Sequence, residues 1–568
     1  MLVDAVLVLQ RSDVAALAAA RERYAGVPLL FIDPGNLDAA IQAGLGGYEL
    51  RRLAISPDLP ADVYSEALTR AALIDRLLTA ERRTLFATGP ADDTPYTGWD
   101  QMLLYLSLQR ALMARAIGRA VAAQFAEARI GLLRPGNAQL MNFDSMLSAE
   151  MAAVDPARFA FVQAYEGVRF YSSQITTLAW HPRALARWVA DEGVDAVVHI
   201  ATCFYDAAAF GSAIQARFPR ILDLPGTYCD VPVHRPVPLL MHLADLPPQA
   251  VDPSVRRYRE RALAVLADQL ADWVPQRAAL QQQATLWADR CQQQAQNFMS
   301  LRQALQGRQP HFVLCDHDTG MNGPLYTAAA ELGSAITVLP HSLYATSALP
   351  HARRVTAIER EGFAAPVRSV LGQPVPVRAV RFRTPPAPRP REAAGRVCLL
   401  LNTMLSEGLN QIDFFPLVAF FKRLSALCRQ QGADLQVRLK PSTPALQVVA
   451  AAFGEPAGWF QRSFARPIDE MAAESDLTIS YGEVTSGVVH FLDAASLVLH
   501  ASDQHWPSDT LIAPPFVADG LVPSHDGETT LAEVARLLAD PAAYRHAQAR
   551  QAGAYLQRRS GAHDTFFD

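Results

Sequence analysis

The sequence lacks the paired cysteines of metal and disulfide sites. Its six cysteines are scattered along 568 residues, and no two of them form a CxxC pair. This spacing argues against a zinc ribbon, an iron–sulfur site and a dense disulfide framework, because each needs closely spaced thiols. We therefore expect reduced and mostly buried thiols, and the sequence implies no metal site.

A strong excess of charge and a long hydrophobic run are also missing. The formal net charge is -5 and only 19% of the residues are charged, which gives no general attraction to nucleic acid or anionic lipid. No uninterrupted apolar run reaches the ~18 residues that span a bilayer. The N-terminus lacks the basic region and cleavage site of a signal peptide. We expect a cytoplasmic protein with no nucleic-acid partner, at most in peripheral contact with the inner membrane.

Four common catalytic motifs are absent. The chain contains no GxGxxG after a strand, no GxxxxGK[ST], no HExxH and no GxSxG. These absences weigh against dinucleotide oxidoreductases, P-loop enzymes, zincins and typical α/β-hydrolases, whose chemistry depends on those spacings. We therefore expect no cofactor that these motifs would bind.

What the chain does contain is a regular alternation of short apolar runs and long helical patterns. This alternation is typical of parallel sheets joined by helical crossovers, so the predicted fold class is α/β. The predicted strands are Ala5 to Leu9, Pro28 to Ile32, Ile130 to Leu133, Phe159 to Gln163, Ala196 to Ile200, Arg220 to Leu222, Phe312 to Cys315, Ile336 to Leu339, Val397 to Leu401, Leu435 to Leu439, Leu477 to Ser480 and Ser496 to His500.

The length and a proline-dense stretch predict the domain organisation. A chain of 568 residues is too long for one hydrophobic core. We predict an N-terminal Rossmann-like domain over 1–375, a Pro-rich linker over 376–395 that acts as a hinge, and a C-terminal Rossmann-like domain over 396–568. A helical insertion is predicted at about 251–308, where apolar residues recur at threes and fours. A long buried helix is predicted from Gln101 to Ala126.

Acids and histidines follow two of the predicted strands in the N-terminal domain. Asp316 and Asp318 come directly after the strand that ends at Cys315, and His341 follows the strand that ends at Leu339. Ligands of open α/β sheets bind beyond the carboxyl ends of the strands. Closely placed acids are what glycosyl transfer needs, either to deprotonate an acceptor hydroxyl or to attack an anomeric carbon. Gly320, Asn322 and Gly323 follow the acids, so we expect a flexible polar loop here. A loop of turn and helix-capping residues without a catalytic role is the alternative.

A second set of polar residues follows strands of the C-terminal domain. Lys440 leaves one strand beside Pro441, and Thr485, Ser486 and Gly487 open a helix after another strand. A lysine and free helix amides together favour a phosphate, although the hydroxyls could instead cap the helix. Asn402 and Glu483 lie in neighbouring loops, and we include them among the predicted substrate-binding residues.

Other acids also follow apolar runs, and the sequence does not rank them. They are Asp144, Glu166, Asp206 and Asp230, the last of which lies near His234 and Arg235.

With these residues in view, the chain resembles the GT-B glycosyltransferases that build bacterial capsule or lipopolysaccharide from CMP-activated acidic sugars such as Kdo. The segment from Gln309 to Ser342 resembles the end of their N-terminal domain, with Ser342 in place of the glycine of a His-Gly pair. Lys440-Pro441 resembles their Lys-Pro-His-Pro element, and Thr485-Ser486 resembles the Ser-Ser pair that holds the nucleotide phosphate.

The resemblance implies two Rossmann-like domains facing a cleft. It implies a metal-independent glycosyltransferase that moves a sugar from a nucleotide-sugar donor to a glycan or lipid-linked glycan acceptor. Asp316 or Asp318 would be base or nucleophile, with His341 as a polar partner, and Lys440, Thr485 and Ser486 would hold the donor phosphate. Two alternatives stay open, a GT-B phosphotransferase that moves a polyol phosphate from a CDP carrier and a non-catalytic scaffold for polysaccharide assembly.

Overall fold

A computed structural model gives the architecture of most of the chain. The residues it describes are 3–9, 11–87, 96–125, 128–135, 151–165, 178–200, 207–224, 240–274, 277–316, 322–341, 348–364, 366–382, 391–401, 414–439, 446–456, 458–461, 466–482, 485–503 and 515–567.

Three parallel sheets organise the described residues. In spatial order, the N-terminal sheet contains Tyr48–Leu50, Leu29–Phe31, Ala5–Val8, Ile130–Pro135 and Phe159–Tyr165. The middle sheet contains Val377–Val380, Val355–Arg360, Ile336–Leu339, His311–Cys315, Ala196–His199 and Ile221–Asp223. The C-terminal sheet contains Asp434–Arg438, Arg396–Leu401, Leu477–Tyr481, Leu497–Ala501 and Ser524–His525. A small antiparallel pair joins Leu178–Trp180 to Leu240–His242.

Helices connect the strands and cover the sheets. The helices up to residue 304 are Arg11–Ala19, Pro34–Gln42, Leu59–Phe86, Gln101–Gln124, Pro182–Glu192, Ala207–Arg217, Pro253–Gln269 and Arg277–Ala304. The later ones are Asn322–Leu332, Phe414–Gln430, Leu446–Phe453, Ile468–Glu474, Val488–Asp493, Pro515–Ala518, Gly527–Ala539 and Pro541–Arg559. Short 3-10 turns lie at Arg21–Tyr24, Leu243–Asp245 and Pro248–Ala250.

The predicted fold class, an α/β chain with Rossmann-like parallel sheets, is confirmed, and each strand predicted from an apolar run is present. The long helix expected from Gln101 is present, and the predicted insertion consists of the two helices Pro253–Gln269 and Arg277–Ala304. The described residues up to Val380 form two parallel sheets. The domain boundaries themselves stay a prediction.

One segment of the predicted linker is regular structure. Val377–Val380, inside the 376–395 range, pairs in parallel with Val355–Arg360 as the edge strand of the middle sheet. Proline is tolerated at the start of an edge strand, where no ladder hydrogen bond is lost, so Pro376 does not prevent the pairing. Val377–Val380 therefore belongs to the middle sheet, and the bounds of the linker stay a prediction.

Three hydrophobic clusters join the sheets in pairs. Strand residues alternate between the two faces of a sheet, so one strand feeds two cores. Leu7 belongs to the cluster shared with the middle sheet, whereas Val6 and Val8 belong to the cluster shared with the C-terminal sheet. A third cluster joins the other face of the middle sheet, including Val313, to the C-terminal sheet. Each sheet thus has a different neighbour on each face.

The first of these clusters contains a layer of four long helices, Leu59–Phe86, Gln101–Gln124, Pro253–Gln269 and Arg277–Ala304. Within the described ranges, no helix is both long and apolar enough to cross a bilayer. The described cysteines, Cys291, Cys315, Cys398 and Cys428, are buried free thiols.

Candidate functional site

The strand order of the middle sheet contains a topological switch point. The chain passes from Ala196–His199 to Ile221–Asp223 on one side, and later places His311–Cys315 on the other side. Two crossovers that leave in opposite directions open a crevice beyond the carboxyl ends of the two central strands. Asp316 directly follows one of those strands, so the predicted acid lies at the edge where ligands of such sheets bind.

The structure brings Asp316 and His341 together. Because His311–Cys315 and Ile336–Leu339 are parallel neighbours, the residues that follow them meet at one edge of the sheet. The backbone N–H of His341 donates to Asp316 Oδ1 at 2.5 Å, and His341 Nδ1 lies 3.1 Å from each carboxylate oxygen. Two contacts from the backbone and ring therefore hold the carboxylate and the imidazole in a fixed orientation.

The two members of the pair differ in exposure. The Asp316 side chain is fully buried, while 18% of the His341 side chain is exposed. A carboxylate against Nδ1 favours the tautomer with the proton on Nδ1, which leaves the lone pair of the neutral ring on Nε2. Chemically, such a pair can serve as an oriented general base, because the carboxylate holds the imidazole in place and leaves Nε2 able to accept a proton.

The helix Asn322–Leu332 begins beside the end of the strand that precedes Asp316, and its bounds differ from one expectation. The sequence suggested a flexible loop through Asn322 and Gly323, but both residues are buried in the first turn of this helix. Asn322 Nδ2 donates to the carbonyl of Cys315, the residue before Asp316. A Cβ on Gly323 would lie 2.3 Å from Trp99 Cα, so only glycine permits this close approach. These contacts hold the first turn of the helix Asn322–Leu332 against the end of the strand His311–Cys315.

One further titratable residue at this edge escaped the sequence analysis. His199 ends the strand on the other side of the switch point, and it is 1% exposed. It pairs in register with Leu314, and the two-residue periodicity places it on the same face of the sheet as Asp316, at about 8 Å between Cα atoms. A histidine at the carboxyl end of an apolar strand was the signal available in the sequence.

The C-terminal sheet has an equivalent switch point at its strand Arg396–Leu401. Asp434–Arg438 lies on one side of this strand and Leu477–Tyr481 on the other, all in parallel. The predicted donor residues follow these three adjacent strands. The carboxyl ends of these three strands lie at one edge of the sheet, and Arg396–Leu401 lies between the other two strands.

Local hydrogen bonds define the turn after Leu477–Tyr481. Gly482 has a φ of +77°, which glycine adopts without strain. His500 Nε2 lies 2.6 Å from the Gly482 carbonyl, and its Nδ1 lies 2.7 Å from Ser524 Oγ. Burial lowers the pKa of His500, so the neutral ring can donate to that carbonyl. The turn is fixed before the chain enters the predicted phosphate segment.

Thr485 uses its hydroxyl within the chain. Its Oγ1 accepts a hydrogen bond from the Gly487 backbone N–H at 3.2 Å, which is a local turn contact just before the helix, and within the described residues no side chain caps the helix at its N-cap residue Gly487. The following helix, Val488–Asp493, has only six residues, so its dipole is weak. Thr485, Ser486 and Gly487 are half-buried. Their role toward a phosphate stays a prediction.

Several predicted residues lie outside the described residues. They are Asp318, Asn402, Lys440 and Glu483, together with the unranked acids Asp144, Glu166, Asp206 and Asp230.

No model of a known protein family matches this chain, and no curated protein matches its sequence. Solved structures similar to the chain include the spinosyn rhamnosyltransferase SpnG, at 13% identity over 64% of this chain and 96% of that chain, with a TM-score of 0.32. The GtfA/B complex matches at 12% identity over 46% and 59%, with a TM-score of 0.27. The glycotransferase of kitacinnamycin matches at 12% identity over 98% and 94%, with a TM-score of 0.25. All three TM-scores lie below 0.5, so the fold class rests on the observed strand order.

Proposed function

We propose that this protein is a metal-independent GT-B glycosyltransferase that moves a sugar from a nucleotide-sugar donor to a glycan acceptor. The observation that carries the proposal is the Asp316–His341 pair beside the switch point of the middle sheet. The second support is the parallel arrangement of Arg396–Leu401, Asp434–Arg438 and Leu477–Tyr481, whose carboxyl ends share one edge of the C-terminal sheet. The proposal requires these two edges to face one cleft.

In the proposed reaction His341 acts on the acceptor. Nε2 accepts the proton of an acceptor hydroxyl, and the resulting oxygen attacks the anomeric carbon while the bond from that carbon to the donor phosphate breaks. The proton on Nδ1 stays on His341, where it is hydrogen-bonded to Asp316. The buried Asp316 carboxylate stabilises the imidazolium, because it already accepts hydrogen bonds from His341. This burial makes Asp316 a positioning residue rather than the nucleophile. A direct displacement of this kind inverts the anomeric configuration.

The leaving phosphate is assigned to the C-terminal domain. Lys440 supplies a positive charge, and Ser486 and the amide groups around Gly487 supply hydrogen-bond donors that compensate the charge that develops on the phosphate. Asn402 and Glu483 are placed against the nucleoside or the sugar. A CMP-linked acidic sugar such as Kdo is the donor that the sequence resemblance favours. The acceptor is proposed to be a surface glycan or its lipid-linked precursor, handled in the cytoplasm at the inner membrane.

The proposal is tested first by binding and then by turnover. Thermal unfolding is followed with CMP, CDP, UDP, GDP and dTDP, since a nucleotide that binds the native state raises the melting temperature by mass action. Donors of the nucleotide that binds are then assayed for sugar transfer to glycan acceptors, and NMR identifies the product anomer. A rise with CMP and transfer from CMP-Kdo would support the full proposal.

Variants of Asp316 and His341 test the role proposed for each residue. We expect His341→Gln to lower kcat by about 10²–10⁴-fold while the nucleotide-dependent rise in melting temperature is retained. Asp316→Asn keeps an oxygen for the His341 backbone N–H, so it should fold and still lose turnover. His546→Gln, on an exposed part of helix Pro541–Arg559, is the matched control. Full turnover in both site variants would contradict the assignment, and Asp318→Asn would then be assayed.

A further inference from the structure

We propose that the protein has a second binding site, for a neutral oligosaccharide, in a cleft at the opposite edge of the middle sheet from Asp316. The cleft has a volume of about 920 Å³, and the residues that line it include Gly307 and Leu332. Each of these residues precedes a strand of the middle sheet by a few positions. The cleft is therefore at the amino ends of the strands, roughly 13–17 Å from the catalytic edge, the length of a five-residue strand.

A buried acceptor in this cleft lacks a partner. Gln296 lines the cleft and is 1% exposed. Its Nε2 lies 3.3 Å from the carbonyl oxygen of Ala250 and 3.3 Å from Ser300 Oγ, which orients the amide. Its Oε1 has no hydrogen-bond partner among the described residues. A buried acceptor without a partner costs stability, so the site is built for a ligand that brings a donor.

The charged residues that line the cleft give no preference for an anionic ligand. Arg183 and Arg302 contribute two positive charges, and Asp252 and Glu331 contribute two negative charges. Arg302 Nε lies 3.1 Å from a carboxylate oxygen of Glu331, so its charge is balanced within the protein. A phosphate or sulfate site would instead show an excess of cations. The cleft therefore fits a ligand that has hydroxyl groups and no net charge.

The rest of the lining matches a carbohydrate. Gln249, Gln303 and Gln306 present exposed amides, each of which can both donate and accept, as sugar hydroxyls require. Met299 and Pro253 add apolar surface between these amides, against which the C–H faces of a sugar ring can pack. The cleft lies within the ~300–1,000 Å³ range of small-molecule sites. Its dimensions and chemistry point to a short oligosaccharide rather than a nucleotide.

This site is independent of the proposed transferase activity, and so is its test. Binding of neutral di- to tetrasaccharides is measured by calorimetry and by saturation-transfer NMR on the full chain, with no nucleotide present. We expect binding by the wild-type protein. Gln303→Ala should weaken it about three- to tenfold through the loss of a hydrogen-bonding amide. Gln282→Ala is the matched control, because Gln282 is an exposed glutamine on the same helix that does not line the cleft.

Gln296→Met separates ligand binding from folding. The substitution removes the buried acceptor at similar volume, so the melting temperature should stay the same or rise while oligosaccharide binding falls at least tenfold. The proposal is overturned if no neutral oligosaccharide binds at millimolar concentration, if Gln282→Ala weakens binding as much as Gln303→Ala, or if only sulfated or phosphorylated saccharides bind. Loss of sugar transfer with this binding intact would affect the transferase proposal alone.

Discussion

Single residues set the geometry of the candidate site. Asp316 is buried under His341, and the difference in exposure decides which of the two can meet a substrate. Behind them, Gly323 lets the first turn of a helix touch the Trp99 backbone, and Trp99 Nε1 donates to Thr327 Oγ1 at 2.7 Å in the same helix. The packing behind the Asp316–His341 pair thus depends on a glycine, because any side chain at position 323 would collide with Trp99.

Gly323→Ala should destabilise the protein. Its Cβ would lie 2.3 Å from Trp99 Cα, and backbone atoms cannot move aside as a flexible side chain can. We expect a loss of about 1–3 kcal/mol in the free energy of unfolding, measured by chemical denaturation. Gly553→Ala is the control, since a Cβ there meets nothing within 4 Å in an exposed helix. That variant should gain about 0.5–1 kcal/mol, and equal losses in both would contradict the steric explanation.

His311 should make stability depend on pH. Burial, followed by the charges of Arg217 and Arg354, lowers its pKa from 6.5 to about 4. Between these values the unfolded chain binds more protons than the folded chain, so this contribution is fully present above pH 6.5 and is lost as the pH falls toward 4. The loss should be about 2 kcal/mol after allowance for partial exposure. Chemical denaturation at several pH values between 4 and 7 measures this loss in the free energy of unfolding.

His311→Gln should flatten that part of the pH profile, because glutamine can still bond to Thr337 Oγ1, which lies 2.8 Å from His311 Nε2. His546→Gln should leave the profile unchanged. An unaltered slope in His311→Gln would assign the effect to other groups.

At the scale of helices, a buried ionic network holds the four-helix layer together. Arg82 in Leu59–Phe86 contacts Asp75 at 2.8 Å and Asp100 at 2.9 Å, and its Nη1 also donates to Tyr258 Oη at 3.1 Å. Asp100 precedes the helix Gln101–Gln124, and Tyr258 belongs to the first insertion helix. One guanidinium therefore connects three helices, and its partners fix their register.

Arg82→Met should destabilise this layer strongly. The substitution leaves the carboxylates of Asp75 and Asp100 buried without their main compensating charge, which costs about 3–5 kcal/mol. Arg261→Ala breaks the partly exposed pair with Glu81 on the neighbouring surface and should cost less than about 1 kcal/mol. Urea denaturation measures both. A loss below about 1 kcal/mol for Arg82→Met would show that the network contributes little.

The sequence predicted these elements to different degrees. Central strands such as His311–Cys315 were found because both faces are buried and the apolar run is continuous. The edge strands Tyr48–Leu50 and Ser524–His525 were missed because they are short and mostly exposed. Val355–Arg360 was missed because it ends in charged residues, and the buried Arg360 forms an ion pair with Asp493, which is distant in the sequence.

The site was predictable where it depends on parallel pairing. Residues that follow adjacent parallel strands must meet, so Asp316 and His341 could be placed together from strand order alone. Their division of roles could not, because it depends on burial by segments far apart in the sequence. The second cleft could not be predicted either, because Gln296, within the helix Arg277–Ala304, and Ala250, in the 3-10 turn Pro248–Ala250, come together only through tertiary packing.

At the scale of the whole molecule, the C-terminal tail returns to the middle sheet. Its backbone bonds reciprocally to the edge strand, with Arg381 N–H donating to the His563 carbonyl and His563 N–H donating to the Ala379 carbonyl, each at 2.9 Å. Phe566 packs 4.8 Å from the Phe210 ring, measured between centroids. The tail thus covers an edge that would otherwise be open for pairing with another chain.

Removing both aromatic rings of the tail should loosen this contact. We expect Phe566→Ala with Phe567→Ala to lower the free energy of unfolding by roughly 2–4 kcal/mol, because two half-buried rings lose their apolar contacts. Thermal unfolding and light scattering check the prediction, the latter because an uncovered edge promotes association. Leu556→Ala, at a residue that is 54% exposed, is the control and should change stability by less than about 0.5 kcal/mol. Equal losses of stability in the double variant and in Leu556→Ala would contradict a specific role for the tail.

The pairwise sharing of cores among three sheets has a consequence for synthesis on the ribosome. Val6 and Val8 emerge first, yet the C-terminal residues that share their cluster, such as Val397 and Leu399, are translated roughly 20–80 s later at ~5–20 residues per second. During that interval the helices Arg11–Ala19 and Pro34–Gln42 cover that side of the sheet only in part. We expect the nascent chain to depend on chaperones for this period, and to aggregate when translation stops before the last third of the message.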